Sequence, residues 1–148
     1  MQDLILALDQ GTTSTRALAV NRDLKPIAIA QSMLPQSYPQ PGWVEHDAEE
    51  IWRATLEVAG GVIAQAGGPD RFAAIAITNQ RETVVAWDAE TSEVFGPAIV
   101  WQDRRTASTC SELAAQGKEP AFQAATGLLL DPYFSGSKIG WMLENRPE

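Results

Sequence analysis

The sequence predicts a mixed α/β fold in which an antiparallel three-strand meander leads into parallel strands joined by crossover helices. Three observations predict it. Three apolar segments with short connections fill residues 3–33. A capped helical pattern fills residues 47–66. A continuous apolar run, FAAIAIT, follows that helix, so the helix is a crossover returning the chain to a strand parallel to the first.

Residues 3–9 form an apolar run suited to a buried strand, and residues 14–20 a second, with Ala17, Leu18, Ala19 and Val20. Asn21, Arg22 and Asp23 turn the chain into a third strand from Pro26 to Met33. A proline-rich loop, LPQSYPQPGWVEHD, comes next. Asp47 is a helix N-cap, with Glu50 in the capping-box position. Ile51, Trp52, Ala59, Val62, Ile63 and Ala66 recur at helical spacing until Gly67-Gly68-Pro69 ends the helix. Phe72–Thr78 is expected as a buried strand, and residues 83–88 (TVVAWD) and 97–101 (PAIVW) as further strands. Asp103 is positioned to cap a helix running to about Gly117. Pro120 opens a short helix ended by Gly127, and Ser135 starts a last one through Ile139, Met142 and Leu143, with Pro147 as its stop.

Composition narrows the function classes. The chain has 148 residues, 45% of them hydrophobic and 20% charged, enough to bury a core. Eleven basic against nineteen acidic side chains give a net charge of −8. So acidic a chain carries no electrostatic footprint for nucleic acid or an anionic membrane. One cysteine, Cys110, rules out an internal disulfide and fits a reducing compartment. With one histidine, His46, no zinc cluster can be assembled. The first residues carry no basic leader, and no run reaches the length of a membrane span, so a cytoplasmic protein is expected.

Five short stretches hold the chemistry. In ALDQGTTSTRA, Asp9, Gly11, Thr12, Thr13, Ser14 and Thr15 gather at the tightest point of the first hairpin, with Arg16 just beyond to add a positive charge. Gly11 there is expected to take a backbone angle that other residues resist, so that successive N–H groups converge on one point. The hydroxyls add donors that fit phosphate oxygens, and Asp9 could hold Mg²⁺ through water. The same residues also suit an ordinary polar turn. No Gly-Lys-Ser/Thr follows, so this is not a Walker A loop. TNQRET sets Arg81 beside Glu82 at the end of an apolar strand, donors and an acceptor that suit a polyhydroxylated substrate, or equally a solvated ion pair. VWQDRR supplies Trp101 as a flat apolar wall, or as one more packing residue among five tryptophans, with Asp103 as a helix cap and Arg104 and Arg105 in solvent. DPYFSG either places the Tyr133 hydroxyl where a loop meets the sheet end or is a helix entry with Tyr133 and Phe134 packed, the latter being the simpler on the residues alone. His46, between Glu45 and Asp47, fits a structural role better than a catalytic one.

Taken in order, ALDQGTTSTRA, PGWVEHD, ITNQRET, AIVWQDRR and GLLLDPYFSGSKIGWML resemble the FGGY family of carbohydrate kinases, from about Leu4 to Asn145. The resemblance implies a ribonuclease H-like, actin-like ATPase fold. QRET, WQDRR and DPYFSG together point within the family to glycerol as the substrate, with ATP and Mg²⁺. It implies that Thr12, Thr13 and Ser14 meet the ATP phosphates, with Arg16 close by and Asp9 toward the metal. It further implies that Arg81, Glu82 and Tyr133 hydrogen-bond the glycerol hydroxyls while Trp101 packs along its carbons. Family members are longer, two-domain proteins and are expected to be homo-oligomeric. Residues 1–148 thus correspond to part of the first domain, with the catalytic base beyond residue 148 and the fragment alone inactive. Two other readings stay open: a non-enzymatic binding module, and a kinase of the same family for another polyol or sugar.

Overall fold

The computed structural model describes residues 3–146. The chain divides into two compact units. The first comprises the chain up to Gln36 together with Asp47–Gln80, the second Ser37–His46 together with Arg81 onward.

The first unit is a four-stranded sheet with one helix. Strands β1 (Leu4–Gln10), β2 (Ser14–Val20) and β3 (Pro26–Met33) form the expected antiparallel meander with the expected boundaries. Helix α1 (Ala48–Gln65) crosses over, and β5 (Phe72–Thr78) pairs parallel with β1, giving the order β3-β2-β1-β5. Alternation decides what is buried. Leu4, Leu6, Ala17, Ala19 and Ala28 lie on one face and pack against Val58, Val62 and Ala66 of α1 and its end. The small alanines let the helix approach the sheet closely.

Asp47 caps α1, its carboxylate accepting from the N–H groups of Glu49 and Glu50. Glu50 pairs with Arg53, however. Gly68 N–H donates to the Ile63 carbonyl and Gly67 N–H to that of Ala64, a Schellman stop that Gly67 permits at φ 94°. Two packing expectations are corrected. The buried row of α1 is Ala54, Val58 and Val62, while Trp52 faces outward. Strand β5 is not buried: Ile75 and Ile77 are 63% and 72% exposed. They share the α1-facing side of the sheet with Leu6 and Leu8, yet α1 lies over β1–β3 and leaves the edge strand bare.

The second unit is built mainly from loops and helices. Strand β4 (Glu45–His46) pairs antiparallel with β6 (Ala98–Ile99). The segments expected as strands shrink accordingly: residues 83–88 make only the isolated bridges Val84–Ile99 and Trp87–Val94, and only Ala98 and Ile99 remain of residues 97–101. Helices α2 (Ala107–Ala115), α3 (Glu119–Thr126, closed by Gly127 at φ 74°) and α4 (Ser135–Asn145) follow. Pro147, the expected stop of α4, lies outside the described residues. Asp103 does not cap α2, which begins after Thr106. Among the described residues no helix is long and apolar enough to cross a membrane.

Candidate functional site

In the first unit the chain must reverse between Gln10 and Ser14. Gly11 N–H donates to the Ser14 carbonyl at 3.0 Å and closes the turn. Glycine is needed there for space: a Cβ on Gly11 would lie 2.9 Å from the Ser14 oxygen. Its φ is not in the left-handed region, and its N–H points into the turn, which corrects both expectations for it.

What distinguishes the turn from an ordinary one is the treatment of its carbonyls. That of Gly11 accepts from Gln80 Nε2 at 2.8 Å, that of Thr12 from Gln36 Nε2 at 3.5 Å, and that of Thr13 from Leu34 N–H at 2.9 Å. With Ser14 bonded to Gly11, all four carbonyl dipoles of the turn are engaged by the protein. The Ser14 Oγ accepts from Gln31 Nε2 at 2.8 Å, so its own hydrogen is left to donate outward. Thr15, by contrast, is buried and donates to Gln10 Oε1. Asp9 and Arg16 face each other across β1 and β2, on the side of the sheet opposite α1. The Arg16 Nε is buried with no hydrogen-bond partner, an orphaned donor at the strand position opposite Asp9.

These groups fit a nucleotide phosphate and its metal. Among the described residues no three His, Cys, Asp or Glu side chains cluster as a metal site, so a metal here would rest on Asp9, water and the phosphates themselves.

In the second unit, Arg81 is exposed and Glu82 adopts φ 65°, a conformation uncommon for glutamate. The Glu82 Oε2 accepts from both the N–H and the hydroxyl of Ser135, each at 2.7 Å. These bonds hold its pKa below the usual glutamate value, against the effect of burial and with help from the Lys138 and Arg81 charges. Tyr133 is fixed through its backbone, its N–H donating to Asp131 Oδ1 at 2.8 Å. Its ring meets Trp101 edge-to-face at 5.8 Å and Phe134 at 5.1 Å. Trp101 N–H donates to the Thr83 hydroxyl. Glu82, Trp101 and Tyr133 thus share one framework around the start of α4, with Arg81 next to Glu82 in the chain.

The same unit holds a polar core that the sequence did not reveal. Asp103 Oδ2 accepts from Val44 N–H at 2.6 Å, and both its oxygens bind Arg105. The Arg105 guanidinium also reaches Glu45 at 2.8 Å and lies 3.7 Å above the Trp43 ring and 4.6 Å from that of Trp141. Arg105, expected in solvent, has a side chain 1% exposed. Asp103 cannot cap α2 because this network occupies its carboxylate. His46 is buried, which pushes its pKa down and fits a structural role. The roles of two further residues were not legible in the sequence. Gln80 reads as a loop amide, and Lys138 lies in an apolar helical pattern where a lone lysine is the only clue.

The mixed sheet, with its crossover helix and hydroxyl-rich turn, is that of the ribonuclease H-like, actin-like ATPase fold. Residues 4–148 match the model of the FGGY family of carbohydrate kinases, N-terminal domain, and the chain belongs to that family. It is 55% identical to a glycerol kinase of Gluconobacter oxydans over 99% of its own length and 29% of the relative's. A glycerol kinase of Methylobacterium nodulans gives 55% over 99% and 30%. Among solved structures, the glycerol kinase of Plasmodium falciparum with ADP superposes with a TM-score of 0.89 at 32% identity, covering 99% of this chain and 29% of that one. A xylulose kinase of Rhodospirillum rubrum gives 0.88 at 31%, covering 97% and 30%. The chain therefore spans about three-tenths of the length of these relatives.

Proposed function

We propose that this chain is the N-terminal part of a longer kinase that transfers the terminal phosphoryl group of ATP to a terminal hydroxyl of glycerol, giving sn-glycerol 3-phosphate. The observation that carries the reading is the hydroxyl turn at residues 11–14, whose four carbonyls are all bonded to the protein. In this reading Thr12, Thr13 and Ser14 donate to the phosphates and Arg16 adds positive charge. Asp9 holds Mg²⁺ through water, and the ion offsets charge on the phosphate oxygens. Arg81 donates to a glycerol hydroxyl, Glu82 accepts from one through the oxygen that Ser135 does not engage, and Tyr133 contributes its phenol. Trp101 packs along the carbon chain. Positioning and charge stabilisation are what phosphoryl transfer chiefly requires of a protein. The aspartate that takes the proton of the attacking hydroxyl is proposed to lie outside these 148 residues.

Glycerol-dependent ATP consumption by the longer protein tests the reading. Arg81→Ala is expected to lower kcat/KM for glycerol by about 10- to 100-fold, the range of one charge-assisted hydrogen bond. An unchanged value removes Arg81 from the site. Turnover with a ketose but not with glycerol would move the assignment to another sugar, a reading favoured by the xylulose kinase likeness. The purified 148-residue chain is expected to show no turnover; phosphotransfer by it would refute the assignment of the base outside it.

A further inference from the structure

Lys138 is the largest fully enclosed side chain among the described residues, at 0% exposure. Its position is unfavourable twice over. A buried ammonium loses its hydration, and as the fourth residue of α4 it lies at the positive end of the helix dipole. Among the described residues no carboxylate comes within ion-pair distance of it. Glu82, Asp103 and Asp131 act on it through their fields, and burial still lowers its pKa. Its hydrogen bonds run instead to two main-chain carbonyls, those of Tyr133 and, at 3.2 Å, Phe134. A methionine would fill the same space without the charge, so packing alone does not call for a lysine here.

We infer that Lys138 is a positioning residue: by holding the Tyr133 and Phe134 carbonyls it fixes the Tyr133 phenol for the substrate. The inference rests on the proposed glycerol site and adds to it a residue that touches no substrate. Tyr133 is then held at three points. Its N–H is on Asp131, its carbonyl on Lys138, and its ring against Trp101 and Phe134. The next residue, Ser135, fastens Glu82. Releasing the carbonyl leaves the 133–134 peptide held only through the Phe134 N–H, which donates to the Asp131 carbonyl at 3.2 Å, so the peptide tilts about that bond and carries the phenol off its target while the phosphate turn stays intact.

The test is a double-mutant cycle on the longer kinase. Lys138→Met is expected to lower kcat/KM for glycerol by about 30-fold, within the range of one lost charge-assisted hydrogen bond. The loss should appear in the KM for glycerol, with the KM for ATP held within about twofold. In a Tyr133→Phe background the same substitution should lower it by less than about threefold, since the phenol it positions is gone. An equal loss in both backgrounds, or a parallel rise of both KM values, overturns the inference in favour of a purely structural lysine. If Lys138→Met fails to fold, Lys138→Gln, which keeps one donor without a buried charge, should give a smaller loss with the same dependence on Tyr133. A wild-type enzyme that turns over no glycerol refutes the functional reading separately. The pinning is then read by NMR from the Tyr133 ring, whose flips Lys138→Gln must accelerate; an unchanged flip rate overturns it.

Discussion

Replacing Arg105 by methionine is the sharpest test of how the second unit is held together. The guanidinium makes three bonds of 2.8–3.0 Å to two carboxylates, Asp103 twice and Glu45 once. The side chains of Arg105 and Asp103 are each 1% exposed and that of Glu45 is 11% exposed, so water screens little of this. Methionine keeps the volume and the contact with the Trp43 and Trp141 rings but leaves Asp103 with only the Val44 N–H and the partnered backbone of Arg105 itself. Breaking a buried pair from one side destabilises by about 3–5 kcal/mol. Arg146, 3.8 Å from Glu45, supplies a partial substitute and draws the expectation toward 3. That is a large share of the ~5–15 kcal/mol by which a domain is stable. The assay is urea unfolding at neutral pH followed by tryptophan fluorescence, since Trp43 and Trp141 flank the cation. A loss below about 1 kcal/mol, the range of exposed ion pairs, would refute the reasoning and mean that the network is hydrated.

Other predictions follow from single contacts. Gly11→Ala forces a Cβ to within 2.9 Å of the Ser14 oxygen, so the turn must open; in the longer kinase the KM for ATP should rise at least about 10-fold, as one lost phosphate contact would give, with the KM for glycerol little changed. Asp47→Ala removes the acceptor for two N–H groups of α1 and should reduce stability by about 1 kcal/mol in the same urea assay. Glu82 has its folded pKa depressed, so its contribution to stability is present above the unfolded glutamate value and is lost as pH falls through the lower, folded one. A carboxyl NMR titration should therefore find Glu82 below the usual glutamate range, and Ser135→Ala should move it part-way up, leaving the backbone N–H bond. Ile77, 72% exposed on the edge strand β5, should drive self-association of the 148-residue chain at high concentration; Ile77→Lys should restore monomer in sedimentation.

The sequence by itself determined the meander, α1 and its two ends, and the short helix closed by Gly127, because each is written in local terms. Apolar runs with short connections mark β1–β3, an aspartate and a glycine pair bound α1, and the next residues along the chain supply the hydrogen bonds. It also picked out the turn at residues 11–14 by its run of hydroxyls. Only the tertiary structure decided the rest. The Val44–Asp103 bond spans 59 positions and the Glu45–Arg105 bond 60, so nothing near VWQDRR could show that its aspartate and second arginine are buried. Residues 83–88 have the composition of a strand, but Ile99 offers them only a single bridge. FAAIAIT has the composition of a central strand, yet burial depends on what lies across it, and α1 covers only its neighbours. Lys138 makes the point most clearly. Its chemistry lies in two carbonyls just ahead of it, which it meets only because α4 starts at Ser135 and turns its side chain back upon them.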